Sequence, residues 1–307
     1  MTRRVVWLFP GQGAQRPGMG APWRQTPSWA VVEEISDAVG RDVGALLLHA
    51  DADALRETDA AQLSCFALAM VVVDALGPDP DLVACAGHSL GEFSALAAAG
   101  VLPLRDAARL VAARGAAMRV AARDRPGTMA VLVGTDAADG VDAWSAAVRA
   151  EGHEVWAANH NGPAQVVIAG TPDGVRRVGE RVPPGTRVLP IAVAGAFHTP
   201  LMGGAAGALA EALAAADFRT GAVPVVSNVD GNAHRGGARW RTLGLDQLTS
   251  PVRWDRVMAT LTGALGATHA VESGPGRVLA GLLRTAHPAL PVRSVRTPAD
   301  LPAAVGP

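Results

Sequence analysis

The sequence predicts an α/β protein, in which a large α/β domain carries a small α+β unit as an insertion. A short apolar run at Val5–Phe9 stops at Pro10-Gly11, as a buried strand does when it leaves its sheet. A second such run, residues 82–86, leads into a serine between two glycines and then into the helix-forming stretch 92–99. From Arg125-Pro126-Gly127 onward, short strand-like and helix-like segments alternate densely, which marks a separate small unit.

Taken in order, residues 92–99 form a helix ending at Gly100, and residues 104–122 form a longer one. After the break at 125–127, residues 129–133 alternate as a strand and 143–150 read as a helix. Strands follow at 155–158 and 165–169, a helix at 175–181, and a strand at Arg187–Ile191. This places the small unit at 125–193, with the large domain in two parts, 1–124 and 194–307. There is no internal repeat, and low complexity is confined to the Pro-rich end.

The 307 residues suffice for one large domain with a small insertion, and 49% apolar against 18% charged residues fits a sizeable core. A formal net charge of −1 argues against a strong nucleic-acid or membrane-surface field. Every basic chain other than histidine is arginine, and tyrosine is missing, which reads as coding bias. Cys65 and Cys85 both lie in apolar runs, so buried free thiols are expected and a disulfide framework is not. The apolar part of the N-terminus is too short for a signal segment, and no uninterrupted apolar run reaches membrane-spanning length. A cytoplasmic protein is expected, acting on neither nucleic acid nor membrane and holding no metal.

The turn Gly87-His88-Ser89-Leu90-Gly91 follows a strand and precedes a helix, the context in which a serine is exposed as a nucleophile. Free N–H groups at the helix start would favour developing negative charge there. The plainer alternative is a turn serine capping a helix. A serine nucleophile needs a base, and there are eight histidines. His88 adjoins the serine, but neighbouring side chains diverge at such a turn. His198 follows an apolar run and precedes Pro200, a loop position after a strand. The residues alone leave the choice open.

The helix from Leu104 supplies a second signal. Arg105, Arg109 and Arg119 fall on one side and Leu110, Val111 and Met118 on the other, with Arg114 in the middle of the apolar side. A buried guanidinium is costly without an anion. It is either a structural ion pair or a clamp for a substrate carboxylate.

Together these segments resemble the malonyl-CoA:acyl-carrier-protein transacylase family. Phe9-Pro10-Gly11-Gln12-Gly13-Ala14-Gln15 resembles the family's N-terminal glutamine loop, and Gly87-His88-Ser89-Leu90-Gly91-Glu92 its nucleophile motif. Arg114 falls at its carboxylate-binding arginine, Asn159-His160-Asn161-Gly162 opens its small-subdomain segment, and Gly195-Ala196-Phe197-His198 is similar to its base motif. Ser227-Asn228-Val229-Asp230-Gly231, residues 247–254 and Glu272-Ser273-Gly274-Pro275-Gly276 continue the likeness over nearly the whole chain.

The resemblance implies an α/β-hydrolase-like large domain with an inserted ferredoxin-like subdomain. It implies ping-pong transfer of malonyl from coenzyme A to the phosphopantetheine thiol of an acyl carrier protein, by a monomer needing no cofactor beyond the thioester substrate. Ser89 would be the nucleophile and His198 the base, oriented by the Gln247 carbonyl, with the N–H groups of Gln12 and Leu90 as oxyanion hole. Arg114 would bind the malonyl carboxylate, and Phe197, His88, Gln62 and Asn159 would line the substrate. Phe197 would crowd a C2 branch, an effect of ~1–3 kcal/mol per methyl. Gly195 stands where many polyketide-synthase malonyl domains carry histidine, which leaves unusual extender units open.

Two further readings share the scaffold: an editing acyl hydrolase, favoured by loss of the arginine, and a non-catalytic docking module, favoured by a damaged Ser/His pair. An ordinary α/β-hydrolase would need an acid between Ser89 and His198. For carrier docking, the arginines at 235, 239, 241, 277 and 284 are the expected cluster.

Overall fold

Parallel strands covered on both faces must be apolar on both, and β1 (Val5–Phe9) is buried along its whole length. Val5, Trp7 and Phe9 enter one core cluster and Val6 and Leu8 another, so the sheet it belongs to has a core on each side. The computed structural model describes residues 2–134, 137–193 and 195–302. After β1 come α1 (Ala30–Val39), α2 (Val43–Leu48), α3 (Thr58–Leu76), β2 (Leu82–Gly87), α4 (Leu90–Ala98) and α5 (Leu104–Asp124). A second group follows: β3 (Thr128–Val133), α6 (Ala137–Ala150), β4 (Val155–Gly162), β5 (Gln165–Gly170), α7 (Pro172–Gly179) and β6 (Arg187–Ile191). The chain closes with α8 (Ala206–Ala215), β7 (Val225–Val226), β8 (Ala233–His234), α9 (Ala238–Asp246), α10 (Trp254–Thr262), β9 (His269–Ser273), α11 (Val278–Ala286) and β10 (Val292–Val295).

The larger sheet has the order β10-β9-β1-β2-β7-β8, parallel throughout except for β8, which runs antiparallel to β7. Phe9 pairs with Gly87, so β1 and β2 end side by side. The loop from Pro10 and the turn at Ser89 therefore leave the sheet together, at the carboxyl edge where open parallel sheets bind ligands. Helix α3 is long and apolar enough to cross a membrane by length and composition, but it is mostly buried and packs against α4 and α5. Burial all round is the mark of a core helix.

The second group forms a four-stranded antiparallel sheet, β4-β5-β3-β6, in which β3-α6-β4 and β5-α7-β6 interleave. Alternation divides its faces. Ala130 and Leu132 pack with Val141 and Val148 of α6, whereas Met129 and Val131 turn toward the large sheet's end. His160 N–H donates to the Val252 carbonyl at 2.8 Å and Val252 N–H to Ala158 at 2.9 Å, tying β4 to a loop of the larger part.

Several elements differ from the sequence reading; α5 runs on past residue 122 to Asp124, and the other main differences are these. Helix α6 starts at Ala137, not residue 143, because Gly140 is carried inside it. Helix α7 covers Pro172–Gly179 and not 175–181; the Thr171 side chain caps it by accepting from Gly174 N–H, with proline in the first turn. Strand β4 continues past residue 158 to Gly162, with bulges after Ala157 and His160. Helix α4 begins at Leu90, directly after the serine. Ala194, where the large domain is expected to resume, and residues 303–307 of the Pro-rich end lie outside the described residues.

Candidate active site

Ser89 has φ 52° and ψ −110°, a backbone conformation that costs of order 1–3 kcal/mol in a non-glycine residue. Close packing enforces it. A Cβ on Gly87 would stand 1.9 Å from the Gly91 backbone, and one on Gly91 would stand 2.0 Å from the Phe9 carbonyl. The turn is also tied from outside. Ser89 N–H donates to Asn228 Oδ1 at 2.7 Å, and Asn228 Nδ2 donates to the Gly87 carbonyl at 2.7 Å. Asn228 N–H in turn donates to Glu92 Oε2 at 2.6 Å.

Among the eight histidines, His198 is the one at the serine, with Nε2 2.7 Å from Ser89 Oγ. It too has a positive φ, 61°. Its Nδ1 lies 2.9 Å from the Gln247 carbonyl. A carbonyl only accepts, so Nδ1 carries the hydrogen and Nε2 presents its lone pair to the serine hydroxyl. Burial, reinforced by the Arg114 charge, holds the imidazole down to about 3. The ring is therefore neutral at neutral pH and able to take a proton. His88, turned away as expected, pairs its Nε2 with Asn161 Oδ1 at 2.9 Å.

Arg114 is 1% exposed. Its Nη1 donates to Gln62 Oε1 at 2.7 Å, and its Nη2 to Gln247 Oε1 at 2.9 Å and to Ser89 Oγ at 3.2 Å. The Phe93 ring lies 5.3 Å from the guanidinium carbon. Burial lowers its pKa to about 10, against the pull of the Glu92 charge, so it stays cationic. These partners correct the sequence argument that an anion alone makes the position tolerable: two glutamines, a hydroxyl and an aromatic face already accommodate the cation. Its Nε is buried without a hydrogen-bond partner among the described residues.

Ser89 and His198 open onto a cavity of about 320 Å³ between the two sheets. Gln12 and Leu90 line it beside the serine, with Gln62, His88 and Phe197 from the larger part and Asn159, Asn161 and Gln165 from β4 and β5. Met129, Val131, Val167 and Ile191 make its apolar wall. All ten residues singled out in the sequence thus meet at one place. Gln247 is engaged twice: its carbonyl holds His198, while its side chain touches Arg114, Ser89 and Glu92.

Sequence reasoning assigned no role to Glu92, Asn228 or Asn161. Glu92 carried a signal, being a charged residue in an otherwise apolar helix; the two asparagines carried none beyond their motifs. Burial pushes the Glu92 carboxyl up to about 8, opposed by Asn228 N–H, the Gln247 amide and Arg114. Of the arginines expected to dock a partner, Arg241 is engaged within the fold, donating to the Ala216 carbonyl at 2.9 Å and lying over Phe218. Arg239 is 3.5 Å from Asp230. Arg277 lines a second hollow that shares Asn161, Gln165, Val278 and Leu282 with the first.

A hydroxyl on a sharp turn, a neutral imidazole and a buried cation in one cleft form the equipment of acyl transfer. A family model described as "Acyl transferase domain" matches residues 6–289. The malonyl CoA-acyl carrier protein transacylase of Bacillus subtilis is 36% identical over 309 residues, covering 98% of this chain and 96% of that protein. The protein of the same name from Escherichia coli K12 is 38% identical over 312 residues, covering 98% and 99%. A solved complex of a type II PKS acyl-carrier protein with its malonyl-transacylase superposes with a TM-score of 0.92 at 35% identity, covering 98% of this chain and 99% of that one. The chain belongs to the acyl transferase domain family and, within it, to the malonyl CoA-acyl carrier protein transacylases.

Proposed function

We propose that this protein moves a malonyl group from coenzyme A to the phosphopantetheine thiol of an acyl carrier protein, through an acyl-Ser89 intermediate. The observation that carries the reading is the coincidence, at one oxygen, of His198 Nε2 at 2.7 Å and Arg114 Nη2 at 3.2 Å. A base and a carboxylate-sized cation converge on the same nucleophile.

In the first half-reaction Ser89 Oγ attacks the thioester carbonyl while His198 takes its proton. The negative charge on the carbonyl oxygen faces the N–H groups of Gln12 and Leu90, the latter at the start of α4, where the helix dipole adds to it. The C–S bond breaks and the coenzyme A sulfur takes the proton from His198, leaving malonyl-Ser89. In the second half the carrier's thiol gives its proton to His198 and attacks the ester, and Ser89 recovers a proton as it leaves. The Gln247 carbonyl keeps the imidazole in one tautomer throughout, so no acid is required. Arg114 receives the malonyl carboxylate; Gln62, His88, Asn159 and Phe197 shape the space around the acyl group. Phe197 and Gly195 leave malonate preferred and a larger extender admissible.

The same reading treats residues 1–124 and 194–307 as an α/β-hydrolase-like domain and 125–193 as a ferredoxin-like insertion, in a cytoplasmic monomer without a cofactor. The interleaved β-α-β connectivity of the small sheet supports the second label.

Incubation with labelled malonyl-CoA and digestion should place the label on Ser89, and Ser89→Ala should carry none. His198→Ala should acylate at least ~100-fold more slowly. Arg114→Ala should lose about 3 kcal/mol in kcat/KM for malonyl-CoA, with acetyl-CoA far less affected and Arg114→Lys a poor substitute. Label surviving at wild-type level in Ser89→Ala would refute the intermediate.

A further inference from the structure

Glu92 takes no part in the steps above, yet it is 0% exposed and lies within the first turn of the helix that begins at Leu90. A carboxyl group is almost never that buried unless paired. Its two oxygens accept from two different loops: Oε2 from Asn228 N–H at 2.6 Å, and Oε1 from Gln247 Nε2 at 2.8 Å. Gln247 Nε2 also donates to the Ser89 carbonyl at 3.0 Å. Both amide hydrogens are then committed to acceptors. The oxygen end of the amide has one direction left, toward Arg114, which donates to it at 2.9 Å. Turned over, the amide would set its NH₂ against the guanidinium, donor against donor.

We propose that Glu92 is a positioning residue for acyl-group selection: it fixes the sense of the Gln247 amide, and the amide holds the Arg114 guanidinium where it meets a substrate carboxylate. The inference rests on the malonyl-transfer reading. It also divides residue 247 into two functions. The backbone carbonyl serves the proton transfer, and the side chain serves the choice of acyl group. Burial dominates and keeps the Glu92 carboxyl raised, and the Arg114 charge across the amide only tempers that rise.

Glu92→Gln is the test, because it keeps the shape and removes one acceptor. Whichever way the new amide sits, either Asn228 N–H or Gln247 Nε2 loses its partner. Purified wild type, Glu92→Gln, Gln247→Met and the double variant are assayed for kcat/KM with malonyl-CoA and with acetyl-CoA, and thermal unfolding reports folding. The malonyl-to-acetyl ratio should fall about tenfold or more in each single variant, as expected when a buried charged group loses a hydrogen bond. A general loosening of the fold would lower both substrates alike and leave the ratio in place. The double variant should lose no more selectivity than the larger single loss, because both changes disable one device. A ratio that stays put in a folded single variant, or fully additive losses, overturns the proposal. Should Glu92→Gln fail to fold, the ratio in Gln247→Met decides alone. A wild type with no preference for malonyl would instead overturn the malonyl-transfer reading itself, and this proposal with it.

Discussion

The two sheets meet at the same cavity and bring different things to it. The larger part supplies strained backbone at Ser89 and His198, glycines with no room for a Cβ, and a buried polar web through Glu92, Asn228 and Gln247. The antiparallel sheet supplies an apolar wall and a few amides, on strands whose described non-glycine residues all keep negative φ. Chemistry sits where the backbone is held against its preference, and shape sits where it is relaxed.

The contrast breaks hardest at the glycines. In Gly91→Ala the new methyl would stand 2.0 Å from the Phe9 carbonyl, so β1 and the turn must part. A loss of about 3 kcal/mol or more is expected from such a clash, together with abolished acylation; urea unfolding and the labelling assay read both. An alanine that folds and acylates normally would mean the turn is far softer than its packing implies.

The pH dependence of stability sharpens the comparison, because Glu92 and His198, both strongly shifted into the acid-to-neutral range, belong to the strained side and have opposite signs. His198, ordinarily near 6.5, is held to about 3, so the folded state refuses a proton that the unfolded chain accepts. Stability is then full above about 6.5 and falls as pH drops toward 3. Glu92, ordinarily near 4.5, is raised to about 8, so the folded state keeps a proton that the unfolded chain releases. Its contribution is full below 4.5 and is lost as pH rises to about 8. The two slopes oppose one another between 4.5 and 6.5, and stability should decline on either side of that window. Urea midpoints measured across pH should show the alkaline decline vanish in Glu92→Gln and the acid decline shrink in His198→Ala. The opposite pairing would invert the assignment.

The smallest effect is expected on the relaxed side. Val131→Ala, in the cavity wall on β3, should raise KM for malonyl-CoA by ~1–3 kcal/mol at most and leave kcat nearly unaltered. A large fall in kcat would mean that the small sheet does more than shape the cavity.

What could be read from the chain followed the same divide. The turn at Ser89 was legible because glycine, serine and glycine are local to one another. Arg114 was legible because a helix repeat exposes a charge on the wrong side. The choice of His198 needed a contact spanning 109 residues, and the Asn228–Glu92 bond spans 136, distances over which a single sequence carries no pairing information. The strand reading stopped at residue 158 because the polar end of β4, with Asn159 and Asn161, lines a cavity and not a core. The start of α7 was missed because Thr171, a cap, was passed over in favour of the apolar residues after it.

The tether on His198 has an evolutionary side. Where an acid orients the imidazole, a single codon change can remove the orienting group. Here that group is a peptide carbonyl, which every amino acid at position 247 would still supply. Point substitution can strip the Gln247 side chain and so alter which acyl group is taken, while the proton-transfer pair keeps its alignment. The scaffold can therefore drift in substrate without first losing its chemistry, a form of mutational robustness written into the main chain.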